Sequence, residues 1–301
     1  MIQDFRGKTA VLTGAGSGFG LECARLGAAM GMNLVLADVQ PDALARAEAE
    51  VREAGADVLA MRVDVSRADE MEAFAQATRE RFGAPHLVFN NAGVVAHGLV
   101  WENDLRDWEW LLGVNLWGVI HGVRLFTPMM LEAASRDASW RGHIVNTASM
   151  AGLLTPPNMG VYNVSKHAVV ALSETLYQDL RLVTRQVSAS VLCPYFVATG
   201  ITASERNRPA DEPSAPPTRS QLVGKAMVDK AVTSGRVSAA DVARLVFEAA
   251  AQDRFYVFTH PKALGNVSSR MEAIVGMAQP PDPFRERPEI GEQLRAALRE
   301  A

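Results

Sequence analysis

Short apolar runs alternate with amphipathic segments along most of the chain. The apolar runs cover residues 9–13, 33–37, 57–63, 87–90, 143–147, 187–192 and 255–259. Between them, apolar positions recur every three or four residues, in segments 18–30, 41–53, 68–81, 105–131, 161–182 and 239–250. The short runs predict buried strands, and the periodic segments predict helices. Strands that alternate with helices predict an α/β fold, a doubly wound parallel sheet of about seven strands with helices on both faces.

Two proline-rich segments interrupt this alternation. The first, residues 205–220, follows a predicted strand end, where α/β folds bind their ligands. It is either a mobile lid or a disordered surface loop, and we predict a substrate lid over residues 199–235. The second, residues 279–288, precedes a short helical stretch. We predict one domain over residues 1–301, with a C-terminal extension, residues 261–301, packed on the body or on a neighbouring subunit.

Composition and charge exclude several functional classes. Lys and Arg number 30 against 34 Asp and Glu, a net charge of -4, which argues against a nucleic-acid partner. Two cysteines make no disulfide framework and indicate a reducing compartment. The N-terminus lacks a basic-then-apolar leader, and no apolar stretch approaches about 18 residues. These features predict a cytoplasmic protein without a membrane partner, and the scattered histidines predict no metal site.

A glycine-rich turn joins the first predicted strand to the first helix. Glycines let the backbone turn tightly and approach a pyrophosphate, whose charge is stabilised at a helix N-terminus. The alternative is a purely structural turn. The turn fits the pattern T-G-x-x-x-G-x-G, with candidate cofactor residues Thr13, Gly14, Gly16, Ser17, Gly18, Phe19 and Gly20.

Polar residues end the next three strands. Asp38 can accept both hydroxyls of an adenine ribose and would repel a 2′-phosphate, which favours NAD over NADP; alternatively it caps a helix. Asp64, beside Val65, can reach an adenine amino group or begin a helix. The amides and small residues after the fourth strand suit a ligand packed against the backbone or an Asn-rich turn, with candidates Asn91, Ala92 and Gly93.

Tyr162 and Lys166 are four residues apart on a predicted helix, so both side chains leave one face. A tyrosine with a pKa near ~10 is a poor base at neutral pH, and an adjacent ammonium lowers that pKa. Ser149 follows the fifth strand and can bond to the same substrate oxygen. This pair alone is common on solvated helix faces, but here it follows the glycine turn and the strand-end carboxylates in order.

These motifs together make the chain resemble the short-chain dehydrogenase/reductase family in its single-domain, Rossmann-like form, over about residues 5–260. The resemblance implies that Tyr162 is the general acid/base on the substrate oxygen. It implies that Lys166 bonds the nicotinamide ribose and lowers the tyrosine pKa, and that Ser149 polarises the carbonyl. Asn115 matches the family's helix asparagine that holds a water in a proton relay to Lys166.

The resemblance also assigns the remaining cofactor contacts. Asp38 contacts the ribose, Asp64 the adenine, Asn91 the adenosine side, and the Val197 amide the nicotinamide carboxamide; Pro194 and Thr199 belong to the same segment. One position departs from the family pattern, because Tyr195 replaces the glycine that usually follows the proline.

The implied reaction is reversible hydride transfer between NAD and a secondary alcohol or its ketone. The predicted pocket wall is apolar, which favours a bulky or aryl substrate, and comprises Val95, His97, Met150, Leu154, Met159, Tyr195 and Phe196. The C-terminal layout is similar to bacterial Cα-dehydrogenases of lignin-derived dimers. The alternatives are an NADP-dependent 3-oxoacyl-type reductase and a non-catalytic nucleotide sensor. Family members commonly pair two long helices, so the resemblance implies a homo-oligomer, tetramer or dimer.

Overall fold

The computed structural model describes residues 1–209 and 216–299. Its seven parallel strands form a sheet with the order β3-β2-β1-β4-β5-β6-β7. Their bounds are β1 Thr9–Thr13, β2 Asn33–Asp38, β3 Val58–Arg62, β4 Leu87–Asn90, β5 Gly142–Thr147, β6 Val187–Cys193 and β7 Tyr256–Phe258. This confirms the predicted sheet. The strand order reverses between β1 and β4, so a crevice opens at the carboxyl ends of these two strands.

Helices cover both faces of the sheet. They are α1 Gly18–Ala29, α2 Pro41–Glu53, α3 Ala68–Phe82, α4 Leu105–Leu112, α5 Gly118–Arg136, α6 Gly160–Val183, α7 Arg219–Thr233, α8 Ala239–Gln252, α9 Leu264–Val275 and α10 Pro288–Arg299. Alternate residues of β1 enter opposite cores: Leu12 packs with Phe247 of α8, and Val11 packs with Phe126 of α5. Burial on both sides explains why the strands read as continuous apolar runs.

The prediction of a helix over residues 105–131 is confirmed in its extent, but the helix is not uniform. A π-helical turn, Gly113–Trp117, separates α4 from α5, and α5 continues to Arg136. The turn widens the backbone where Asn115 leaves the helix to bond the chain after β4. A Cβ atom at Gly118 would lie 2.7 Å from Val65, so the helix returns to the α-form in close contact with the chain after β3.

The predicted lid is largely helical where it is described. A 3₁₀ segment, Gly200–Asn207, follows β6, and α7 begins at Arg219. Residues 210–215 of the predicted lid lie outside the described part of the chain. Within the described ranges, no helix combines the length and the hydropathy needed to cross a bilayer.

Candidate active site

A cleft of about 1750 Å³ runs along the carboxyl ends of the strands. It brings together nearly all of the predicted cofactor residues, which come from six separate segments of the chain. The predicted cofactor residues that line it are Gly14, Gly16, Ser17, Gly18, Phe19, Asp38, Asp64, Val65, Asn91, Ala92, Gly93, Tyr162, Lys166, Pro194, Val197 and Thr199.

Thr13 and Gly20 do not line the cleft but shape its glycine turn. The Thr13 hydroxyl accepts hydrogen bonds from the backbone amides of Asn91 (2.9 Å) and Ala92 (3.1 Å), which ties the end of β1 to the end of β4. Gly14 has a φ of +67°. A Cβ atom at position 20 would lie 2.1 Å from the Gly14 carbonyl oxygen, so α1 can begin this close to the turn only with glycine there.

The Asp38 carboxylate connects the glycine turn to the loop after β2. One oxygen accepts the Gly16 amide at 2.8 Å, and the other accepts the Gln40 amide at 2.9 Å. Asp38 is not the N-cap of α2, because Gln40 holds that position. A carboxylate fixed in this way keeps its remaining acceptor capacity directed at the cleft, as ribose recognition requires.

Asp64 both stabilises a turn and lines the cleft. Its carboxylate accepts the Ser66 amide at 3.0 Å and the Ser66 hydroxyl at 2.7 Å, and Arg67, not Asp64, is the N-cap of α3. The alternative of a helix-start aspartate is therefore partly right, because the side chain organises the turn before α3.

Ser149, Tyr162 and Lys166 meet at the floor of the cleft. Lys166 Nζ donates to the Thr147 carbonyl at 2.8 Å and lies 5.7 Å from the centre of the Tyr162 ring. Ser149 Oγ accepts the Ala151 amide at 3.1 Å and donates to the Pro194 carbonyl at 3.3 Å. The serine is thus positioned by two backbone groups beside the phenol.

Burial dominates the acid–base properties of this floor. It raises the pKa of Tyr162 to about 12, while the hydrogen bond with Ser149 opposes this shift. Burial also lowers the pKa of Lys166 to about 8. Desolvation of the buried phenolate is therefore the largest influence on Tyr162 in the protein alone, and the lowering of its pKa by Lys166 stays a prediction.

Asn115 is fully buried behind the floor and does not line the cleft. Its side chain accepts the Val94 amide at 2.8 Å and donates to the Val94 carbonyl at 2.9 Å and to Ser165 Oγ at 3.2 Å. A Cβ atom at Gly93 would lie 3.4 Å from Asn115 Oδ1 and 3.7 Å from Lys166 Nζ. The asparagine and the lysine therefore both lie close to Gly93, while the relay water stays a prediction.

Six of the seven predicted substrate residues line the cleft: Val95, Met150, Leu154, Met159, Tyr195 and Phe196. His97 does not line the cleft, and this prediction is wrong. Its side chain is buried against Gly224 of α7, and burial lowers its pKa to about 4. Neither ring nitrogen has a hydrogen-bond partner among the described residues.

Tyr195 fits at the position where the family has glycine. Tyr195 is not among the described non-glycine residues with positive φ, so the local backbone accepts a side chain without strain. Its amide donates to Thr259 Oγ1 at 3.0 Å, and its ring packs on Phe196 with 4.3 Å between ring centres. The substitution adds an aromatic wall to the cleft.

The 3₁₀ segment Gly200–Asn207 forms a roof over the cleft. Gln40 Nε2, beside Asp38, donates to the Arg206 carbonyl at 2.9 Å. Ser204 Oγ accepts the Val95 amide at 3.1 Å. The roof therefore joins the ends of β2 and β4 above the proposed cofactor position.

Sequence reasoning named no lining residue for two walls of the cleft, although the predicted lid, residues 199–235, includes the first of them. α7 contributes Met227, Val228 and Ala231, and the C-terminal extension contributes Asn266, Arg270 and Phe284 among others. For α9 a signal existed, because Asn266, Arg270 and Ala273 recur at helical spacing. The local sequence does not, however, predict which face of α9 lines the cleft.

A family model for short chain dehydrogenases matches residues 8–210, about two thirds of the chain. The chain belongs to the short-chain dehydrogenase/reductase family. It is therefore an oxidoreductase of the kind that acts on alcohol and ketone groups.

Relatives of the family match this chain over most of its length. A short chain dehydrogenase/reductase from Burkholderia phymatum, solved in complex with NAD, is 53% identical with a TM-score of 0.89, over 93% of this chain and 98% of that one. The CLA biosynthesis dehydrogenase/reductase of Lactiplantibacillus plantarum is 32% identical over 91% of this chain and 95% of its own. The 1-deoxy-11-beta-hydroxypentalenate dehydrogenase of Streptomyces exfoliatus is 36% identical over 85% and 84%.

The similarity to lignin-dimer dehydrogenases is also confirmed. LigO from Sphingobium sp. strain SYK-6, in its apo form, is 28% identical with a TM-score of 0.72, and the match covers 99% of both chains.

Proposed function

We propose that this protein is an NAD-dependent dehydrogenase that interconverts a bulky, apolar secondary alcohol and its ketone. One observation carries the proposal: Ser149, Tyr162 and Lys166 meet on the floor of the same cleft whose other end holds the glycine turn and Asp38. A non-catalytic nucleotide sensor would need only the glycine turn and Asp38.

The residues of the cleft fit a dinucleotide. The turn at Gly14–Gly20 offers backbone amides and the N-terminus of α1 to a pyrophosphate. The carboxylate of Asp38 suits the two ribose hydroxyls and repels a 2′-phosphate. The NAD complex of the relative from Burkholderia phymatum supports the same preference.

One observation favours the alternative, an NADP-dependent 3-oxoacyl-type reductase. Arg46 of α2 is exposed and lines the same end of the cleft as Asp38. A guanidinium there can pair with a 2′-phosphate. Asp38 is nearer the turn, since its carboxylate bonds to Gly16, and we therefore expect its charge to decide the preference.

Each residue on the floor has a role in the proposed reaction. Bound NAD supplies the hydride acceptor at its nicotinamide ring. Tyr162 takes the hydroxyl proton during alcohol oxidation and returns it during ketone reduction. Ser149 bonds to the substrate oxygen, and Lys166 holds the ribose and stabilises the phenolate by its charge. Asn115 is a positioning residue that holds the chain at Val94.

Other proposals concern the setting of this activity. The apolar wall around Tyr195 and Phe196 supports a bulky or aryl substrate, and the name of the Streptomyces exfoliatus relative includes a hydroxylated compound. We propose that residues 199–235 form the substrate lid of a single-domain enzyme. We further propose a cytoplasmic homo-oligomer, dimer or tetramer, in line with two buried free cysteines and with the exposed apolar residues Val164 and Leu182 of α6.

Replacing Tyr162 with Phe tests the reaction. We expect at least a ~10³-fold loss of turnover, because the variant keeps the ring but lacks the proton-transferring oxygen. The assay follows NADH at 340 nm with a panel of aryl, steroid and aliphatic alcohols. Tyr177→Phe on the same helix is the matched control, and NADH titration verifies that the cofactor site is intact. Near-normal turnover by Tyr162→Phe would refute the mechanism.

The cofactor preference is measured separately with the unaltered enzyme. We expect kcat/KM to be at least about tenfold higher with NAD than with NADP, because Asp38 opposes a 2′-phosphate. A preference for NADP would favour the reductase alternative and assign Arg46 to the phosphate.

A further inference from the structure

The C-terminal extension builds the outer wall of the cleft. Residues between His260 and Leu294 line the side that faces Tyr195 and Phe196. The wall is held in place by α10, which packs on α7. Within it Phe284 packs tightly on Gly291, where a Cβ atom would lie 2.8 Å from the ring. The wall is thus a built part of the site.

Helix α9 brings polar as well as apolar side chains to the cleft. Asn266, Ser269 and Arg270 line it together with Gly265, Ala273 and Ile274. The apolar residues Leu264 and Val267 of the same helix pack on the core beside α6. The polar side chains that remain at the cleft therefore point to a polar group in the ligand.

The charged residues of this wall are mainly cations. Lys262, Arg270, Arg285 and Arg287 line the cleft there, against Asp282 and Glu286, although the whole chain carries a net charge of -4. Such a local excess attracts an anion into the cleft.

The three arginines of the wall have no carboxylate partner among the described residues; Arg270 is half-buried, whereas Arg285 and Arg287 are exposed. The buried side chain of Arg208, by contrast, pairs with Asp107 at 2.6 Å. A partly desolvated guanidinium without a counter-charge is costly, and its planar fork matches a carboxylate or a phosphate.

One of the cations, Arg287, lies near the aromatic wall of the cleft. Burial raises the pKa of the Tyr195 phenol, while the charge of Arg287 opposes that shift and the charge of Glu286 reinforces it. The Tyr195 ring in turn packs on Phe196 and meets His260 edge-on, with 5.8 Å between ring centres. One ligand can therefore touch both the aromatic wall and the arginines.

We propose that the substrate is amphipathic: an apolar alcohol or ketone that also carries an anionic group, carboxylate or phosphate, bound by Arg270, Arg285 and Arg287. Its apolar body lies between Tyr195 and Phe196 on one side and Met227 of α7 on the other. This inference rests on the proposed function, because it concerns the substrate of the same site.

Direct binding tests the inference without requiring turnover. Decanoate, decanamide and decanoyl-coenzyme A are titrated calorimetrically into the full-length protein saturated with NADH. We expect decanoate to bind at least about tenfold more tightly than the neutral amide, as charge-assisted pairing with a guanidinium requires. High salt should reduce the difference in affinity between decanoate and decanamide, since Arg285 and Arg287 are exposed to solvent.

Charge-removing variants locate the anion. Arg270→Gln combined with Arg285→Gln and Arg287→Gln should abolish the preference for decanoate, while NADH affinity stays intact. Arg295→Gln is the matched control, because Arg295 is exposed on the same extension but does not line the cleft. Should the triple variant fail to fold, Arg270→Gln alone and the salt titration carry the same test.

The outcomes are distinct. Equal binding of decanoate and decanamide to the unaltered protein, or a preference that survives loss of the arginines, would overturn the inference. Tighter binding of decanoyl-coenzyme A than of decanoate, abolished by the same variants, would support it and identify phosphate as the anion. If no alcohol is oxidised but the anion preference holds, the proposed function fails and the anion site stands.

Discussion

At the residue scale, the floor of the cleft balances burial against charge. Tyr162 and Lys166 are both almost completely buried, and burial favours the neutral form of each. The protein alone thus keeps Tyr162 as a neutral phenol, the form that ketone reduction uses, and opposes its conversion to the phenolate that alcohol oxidation requires. The positive charge on the nicotinamide of bound NAD would favour the phenolate. Proton abstraction by Tyr162 should therefore depend on whether NAD occupies the cleft.

This balance predicts opposite pH profiles for the two directions. Oxidation uses the phenolate, whose fraction grows as pH rises toward the raised pKa of Tyr162, so kcat/KM for the alcohol should rise from pH 6 to about 9. Reduction uses the phenol, so its kcat/KM should stay level or fall over this range. Initial rates in both directions, in buffers of constant ionic strength, provide the measurement. Oxidation that slows with rising pH would contradict the assignment of Tyr162 as base.

The predictable site residues are those whose chemistry follows from one element. Tyr162 and Lys166 share a helix face at fixed spacing, and Asp38 ends a strand beside the glycine turn, so local pattern was enough. His97 was mispredicted because its surroundings come from α7, more than a hundred residues later in the chain. The raised pKa of Tyr162 was missed for a related reason: burial depends on the complete fold.

At the element scale, the roof segment Gly200–Asn207 is held mainly at its end. Arg208, whose side chain is 5% exposed, pairs with Asp107 at 2.6 Å and lies 4.2 Å above the Trp110 ring. Beyond residues 210–215, Thr218 bonds to Glu102 at 2.8 Å. Both attachments are to the stretch around α4. The π-helical turn that follows α4 escaped prediction because its cause, the bonds of Asn115 to Val94, is tertiary.

The roof should control release of the dinucleotide. Arg208→Met removes the ion pair with Asp107 and leaves the charge of that carboxylate unpaired. We expect this to loosen the roof segment, which Gln40 connects to the end of the cleft near Asp38. We expect the dissociation rate of NADH, measured by stopped-flow fluorescence, to rise about tenfold.

Arg244→Met is the matched control for this effect, because Arg244 makes an exposed ion pair with Asp241 on α8 outside the cleft. An unchanged dissociation rate for Arg208→Met, with a thermal midpoint like that of the control, would show that the dinucleotide leaves without movement of the roof.

At the scale of the whole molecule, the α/β architecture could be predicted from the sequence, because the spacing of apolar residues distinguishes buried strands from amphipathic helices. The far walls of the cleft did not follow, since α7 packs on α10, and α9 packs through Leu264 and Val267 on the core beside α6. One further surface is visible only in the structure. The exposed residues of α6 form a stripe along one side of the helix: Val164, Ala171, Thr175, Gln178, Asp179, Leu182 and Val183.

This stripe predicts the assembly. Ala171 lies in its middle, and a small exposed residue there allows a second copy of α6 to approach closely, with Val164 and Leu182 packed at its ends. Light scattering should give the unaltered protein a mass of two or four times 32.5 kDa. Ala171→Glu should reduce that mass, because a charge would be buried without a partner, while Ala45→Glu on the exposed face of α2 should leave it unchanged. A monomeric mass for the unaltered protein would refute the oligomer, and an undiminished mass for Ala171→Glu would place the interface on another face.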